Sequence, residues 1–185
     1  MRLAFIIFDD ITWLDLIGIY DSVRRLKSLN YLPDLTWDFC AFLKTANDFS
    51  GIEVKATKIK PSLADYDALI VPGGHGTRQL QFDTEFINWI QTAQNVPLKI
   101  SVCTGSIILG AAGFLKDKKA TTHYLEYEAL KPYCAKVLTD RIVVDGNVIT
   151  AGAVSSSLDL GLYLCDRWAG AEAAAEIRKR MAYRG

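Results

Sequence analysis

Histidine is scarce in this chain: His75 and His123 are the only two among 185 residues. The four cysteines, Cys40, Cys103, Cys134 and Cys165, lie far apart, with no CxxC and no Cys/His spacing that would hold a metal, so no metal site is expected. Net charge is absent too. Lys and Arg number 21 against 21 Asp and Glu, which excludes a broadly basic nucleic-acid binder or a polybasic membrane binder, and no local basic patch is found. There is no long hydrophobic run. The opening segment from Leu3 to Phe8 is too short to span a bilayer, and no small-residue cleavage site follows it. The expectation is a cytoplasmic protein with reduced thiols. Prolines are few, 5 against 13 glycines, and no repeat, linker or low-complexity tract is visible.

Half of the residues are hydrophobic. A chain of this size can bury roughly 70% of its unfolded surface without a metal or disulfide staple. β-like and helix-like segments alternate, which predicts one doubly wound α/β domain over residues 1–185. Strands are expected at Leu3–Phe8, Leu35–Leu43, Ala68–Val71, Leu98–Val102, and on both sides of the turn Asp145-Gly146-Asn147. Ile52 to Ile59 reads as a short hairpin or edge segment. Helices are expected at Leu14–Leu26 with Leu14, Ile17, Val23 and Leu26 facing inward, at Thr84–Ala93 with Thr84 as N-cap, and at Ile107–Ala112 before Gly113. Further helices are expected at Tyr124–Leu130, Ser155–Trp168 and Ala171–Met181. In such sheets the ligand sits beyond the carboxyl ends of the parallel strands. That rule selects the loop after Phe8, the Gly73–Gly76 turn and Cys103.

Cys103 stands where an apolar strand turns sharply into a helix, with Gly105 and Ser106 supplying the small side chains that such an elbow demands. Ser101 occupies the position where the usual elbow pattern has Gly. A buried core cysteine is the commoner case for any single cysteine, and the elbow is what sets Cys103 apart. A thiol there lies at a helix N-terminus, which is expected to favour the thiolate. Cys40, Cys134 and Cys165 read as ordinary packing. Pro72-Gly73-Gly74-His75-Gly76 follows a strand and lacks the Lys-Ser/Thr of a phosphate loop, so its backbone N–H groups are candidates for stabilising an oxyanion. Asp15 lies in an otherwise apolar stretch, where a carboxylate must find a partner or take up a proton. His75 and His123 can each be a base or a hydrogen-bonded structural imidazole.

Four motifs in this order resemble the ThiJ/PfpI superfamily, whose fold is shared with class I glutamine amidotransferase domains. They are Leu14-Asp15-Leu16-Ile17-Gly18, Val71-Pro72-Gly73-Gly74-His75-Gly76, Ser101-Val102-Cys103-Thr104-Gly105-Ser106 and Ala120-Thr121-Thr122-His123-Tyr124. Within that superfamily the chain looks most like the isocyanide (isonitrile) hydratases. The resemblance implies a homodimer with a modified flavodoxin-like sheet, Cys103 as nucleophile and Asp15 as its acid/base partner. It also implies Thr104 as a hydrogen-bonding neighbour and the Gly74 backbone as anion-stabilising donor. Protease and amidase members place His directly after the Cys, where this chain has Thr104. The hydratases usually have Pro where this chain has Ile19, and a glycine-rich segment where it has Ala151 to Ser157. Both departures are expected at the pocket rim.

The expected reaction is addition of water to a small electrophile, an isocyanide giving an N-substituted formamide, with no metal or organic cofactor. The alternatives are a ligand-binding or redox-sensing module with an oxidisable Cys103, and a glyoxalase- or amidase-like thiol enzyme. Some relatives carry a DNA-binding helix-turn-helix region after this domain, and these residues hold none.

Overall fold

The structure, a computed structural model, describes residues 1–184. The chain runs β1 (Arg2–Ile7), α1 (Trp13–Ser28), β2 (Thr36–Ala41), β3 (Thr45–Asn47), β4 (Glu53–Lys55), β5 (Lys58–Ile59) and β6 (Ala68–Val71). It continues through α2 (Thr77–Leu80), α3 (Thr84–Gln91), β7 (Leu98–Val102), α4 (Gly105–Ala111) and β8 (Lys119–Ala120). The last elements are α5 (Tyr127–Leu130), β9 (Lys136–Val137), β10 (Ile142–Asp145), β11 (Val148–Ala151) and α6 (Ser156–Arg180). Seven strands form one sheet in the order β10-β11-β7-β6-β1-β2-β5. All neighbours are parallel except the β10–β11 hairpin. The mostly parallel α/β sheet is therefore as expected.

The central strands are apolar because both of their faces are covered. Every residue of β6 and β7 is buried. Lys99, within β7, stays buried by donating from Nζ to the carbonyls of Gln94 and Val96, each at 2.7 Å. α1 packs against α6, and α4 contacts α2, α3 and α5.

Two local expectations are corrected. Leu14 and Ile17 are exposed at 48% and 43%, and the inward face of α1 is instead Asp15, Leu16, Gly18, Ile19, Ser22, Val23 and Leu26. Small residues took that face because α6 approaches closely: a Cβ on Gly18 would lie 2.2 Å from Ser157 Oγ. The N-cap of α3 is Asp83, which accepts from the Phe86 N–H at 3.0 Å, one residue before Thr84. The segment Ile52–Ile59 holds both of the features expected of it, β4 pairing in a hairpin with β3 and β5 forming the edge of the main sheet beside β2. Gly170, at φ 85°, is non-helical and breaks α6 between the two helices expected at Ser155–Trp168 and Ala171–Met181.

The close approach of β6 to the β7–α4 elbow depends on Gly105, because a Cβ there would sit 2.1 Å from the Val71 carbonyl oxygen. Gly105→Ala is expected to cost about 3 kcal/mol or more, as overpacking against backbone that cannot move away. A shift of the urea midpoint to lower concentration at unchanged slope checks this; an unchanged midpoint contradicts it.

Candidate active site

The loop after β1, the turn after β6 and the elbow after β7 meet at the carboxyl end of the sheet's central strands. Ile11 bridges Gly74, and the Thr12 N–H donates to the Gly73 carbonyl at 2.9 Å. Cys103 adopts φ 54°, a left-handed conformation that is strained for a side-chain-bearing residue. Four hydrogen bonds hold it there. Its N–H is shared between the carbonyls of Ala151 at 3.0 Å and Gly152 at 2.8 Å. Its carbonyl accepts from Ser106 Oγ at 3.1 Å and Thr122 Oγ1 at 2.9 Å. The Cys103 residue is 5% exposed.

Asp15, in the first turn of α1, is 0% exposed. Its Oδ2 accepts from the Gly73 N–H at 2.9 Å, and Oδ1 has no hydrogen-bond partner among the described residues. Gly73 is the hinge of this contact: a Cβ on it would stand 2.8 Å from both Asp15 Oδ2 and Cys103 Cβ. Only a glycine lets the carboxyl and the nucleophile's backbone come so near.

Burial pushes the Asp15 carboxyl up to about 7, against the lowering effect of the Gly73 N–H and the Cys103 thiol. Burial also pushes the Cys103 thiol up to about 12, and the negative charge of Asp15 adds to the rise. Thr104, through its N–H and hydroxyl, works in the opposite direction. The expectation of a thiol lowered by the helix start is thus corrected, because desolvation and a neighbouring carboxyl outweigh the first turn of a seven-residue helix. The two groups titrate as a pair.

The glycine turn also departs from its expected part. The Gly73 N–H is taken by Asp15, and the Gly74 N–H donates to Thr104 Oγ1 at 3.1 Å. Buried N–H groups are satisfied internally, so neither is left aimed at an oxyanion. Thr104 is the group that meets both the turn and the thiol.

Above Cys103 lies a pocket of about 230 Å³, whose walls include Thr12, Gly74, His75, Thr104, His123 and Val154. Of the site residues singled out in the sequence, Cys103, Thr104, Gly74, His75 and His123 line this pocket, whereas Asp15 and Gly73 are bonded to each other outside its lining. Neither histidine hydrogen-bonds the thiol. His75 Nδ1 is 3.4 Å from Arg78 Nη1, and His123 Nδ1 accepts from the Leu125 N–H at 3.3 Å, closing a short 3-10 turn. Ile19 is fully buried and lies outside the pocket wall, so of the two departures only Val154 touches the rim. Thr12, Arg78 and Leu125 also line the wall and were not singled out. For Arg78 the available signal was its position three residues after His75 on a following helical turn.

The raised carboxyl makes folding stability depend on pH. The folded Asp15 titrates near 7 and the unfolded one near 4, so its favourable contribution is complete below about pH 4 and is lost as pH rises through 7. Asp15→Asn removes that titration. Relative to wild type, the variant is expected to gain about 2–3 kcal/mol of stability between pH 5 and pH 8. Urea unfolding of both proteins at the two pH values measures it, and a stability difference independent of pH would contradict the buried titration.

Comparisons with known proteins identify the family and the fold. The family model for the DJ-1/PfpI family matches residues 1–167. The isonitrile hydratase of Pseudomonas putida is 32% identical over 184 residues, 99% of this chain and 78% of that protein. Among solved structures, a ThiJ/PfpI family protein from Pseudomonas syringae superposes with a TM-score of 0.89 at 27% identity, covering all of this chain and 75% of that one. Drosophila melanogaster DJ-1beta shares the fold alone, with a TM-score of 0.84 at 17% identity, covering all of this chain and 98% of its own. By its matched family model, its relatives and its elbow-bearing sheet, this chain belongs to the DJ-1/PfpI family.

Proposed function

We propose that the protein is a cysteine-dependent hydratase that adds water to a small isocyanide and releases the N-substituted formamide. The observation that carries this reading is the buried Cys103–Asp15 pair at the pocket floor, with Thr104 in place of a histidine after the nucleophile. The similarity to an isonitrile hydratase along 99% of the chain supports it.

An isocyanide carbon accepts a nucleophile and then becomes basic at the same atom. It therefore needs a nucleophile and a proton source at a single point, which is what a thiol beside a carboxyl offers. In the first step the Sγ–C bond forms, one π bond of the isocyanide opens, and a proton from the pair goes to that carbon, giving a thioimidate on Cys103. In the second step water adds to the same carbon, with Asp15 taking one of its protons. The C–S bond then breaks, one water proton ends on nitrogen, and the other restores the thiol. The sum is one isocyanide and one water to one formamide. The first step uses only Cys103 and Asp15, and the second adds water.

The competing redox-sensor reading has less support, because sensor thiols are accessible and readily ionised. Cys103 is 5% exposed and its thiol is pushed upward. An amidase-like reading wants a histidine on the thiol, and here both imidazoles bond elsewhere. The same proposal makes the protein a homodimer, for which Leu14 and Ile17 on α1 and Phe49 and Ile52 on the β3–β4 hairpin offer exposed apolar surface. It places the protein in the cytoplasm, in keeping with four free cysteines. Among the described residues no helix is long and apolar enough to cross a membrane.

With a simple aryl isocyanide, Cys103→Ala is expected to abolish formamide production, and Asp15→Asn to reduce it about 100-fold or more. Near-wild-type turnover in Cys103→Ala would overturn the mechanism. The reactive form of the pair holds one proton and fills as Asp15 ionises, so kcat/KM should rise with pH through about 7 and then level. A profile that falls across that range would contradict the assignment.

A further inference from the structure

The pocket wall is unlike the rest of the chain in charge. Acidic and basic residues balance overall at 21 each. Among the nine described lining residues are both histidines of the chain and Arg78, and there is no acid. Asp15 lies beneath the floor at 0% exposure. Glu126, which pairs with Arg78, is outside the lining. That pair joins α2 to the Tyr124–Glu126 turn across 48 residues of sequence and so fixes the guanidinium at the pocket. Arg78 Nη2 donates to Glu126, and Nη1 lies 3.4 Å from His75 Nδ1. A guanidinium has five N–H donors in a planar fork that matches a carboxylate. These two contacts therefore leave donors for a ligand. Leu125 and Val154 supply apolar wall, and a volume of about 230 Å³ suits a small molecule.

We propose that the site is built for an isocyanide that carries an anionic group, a carboxylate in the simplest case, on the side away from its reactive carbon, with Arg78 holding that group. The substrate class rests on the hydratase reading; the anion-binding wall does not, and the two are tested separately.

The wall is tested with two alkylating reagents of similar size, anionic iodoacetate and neutral iodoacetamide, following the Cys103 peptide by mass spectrometry. The ratio of the iodoacetate rate to the iodoacetamide rate at Cys103 is expected to exceed that of free 2-mercaptoethanol at least tenfold. Arg78→Gln should lower the ratio at least fivefold, and Arg78→Lys should restore part of it. A role for Arg78 confined to holding the Glu126 turn would change both rates together and leave the ratio unmoved, and that result overturns the proposal. So does a wild-type ratio at or below that of the free thiol.

The substrate class is tested with isocyanoacetate against its ethyl ester. The acid is expected to have at least a tenfold higher kcat/KM, and Arg78→Gln to remove the preference through KM. Equal or better use of the ester overturns the substrate class while the hydratase reading stands. Turnover of neither compound by a protein that hydrates the aryl isocyanide also overturns the substrate class; no turnover of any of the three overturns the hydratase reading, and the alkylation ratio then decides the anion site alone.

Discussion

Burying the Asp15 carboxyl beside the Cys103 thiol is the constraint on which the rest of the site depends. A carboxylate with no exposure and one unpaired oxygen is unfavourable in a protein interior. The fold accepts that cost and compensates only in part, through the Gly73 N–H and the neighbouring Cys103 thiol. The same desolvation raises both groups, so the pair holds protons at neutral pH that two exposed groups would share differently. A nucleophile that still has a proton close at hand suits an electrophile needing both at one carbon. It does not suit a thiol meant to be oxidised in passing.

The surrounding architecture exists to keep that contact tight. Three adjacent parallel strands, β7, β6 and β1, end side by side at the carboxyl end of the sheet, and the chain after each contributes one part: the nucleophile, the turn and the acid. Gly73 and Gly105 permit approaches that any side chain would prevent. The strained backbone of Cys103 is held by hydrogen bonds from the β11 end and the Thr122 segment. Those segments lead into Val154 and His123 on the pocket wall, so the elements that fix the nucleophile also shape the space above it.

Much of this was legible in the residues. Ala68–Val71 and Leu98–Val102 have the observed strand limits because strands buried on both faces are apolar throughout and end at Pro72 and Cys103. Cys103 stood out through the small residues after it, and Asp15 because an acid in an apolar stretch needs a reason. What escaped was set by contacts between distant segments. The inward face of α1 carries Gly18 and Ser22, which hydropathy ignores, because α6 presses on it. The destinations of the Gly73 and Gly74 N–H groups depended on where Asp15 and Thr104 came to lie. The direction of the thiol's shift depended on the extent of burial, which no local motif reports. Arg78 and Leu125 become wall residues only when the turns at 75–78 and 123–126 meet across the pocket.

The central claim is that an isocyanide passes through a covalent bond to Cys103. Rapid mixing of the protein with an aryl isocyanide, quenching during turnover and measuring intact mass tests it most directly. Because addition expels no leaving group, the account predicts a transient species heavier by the whole isocyanide, carried on the Cys103 peptide and decaying as formamide appears. Formamide accumulating while Cys103 remains unmodified at every time point would contradict it.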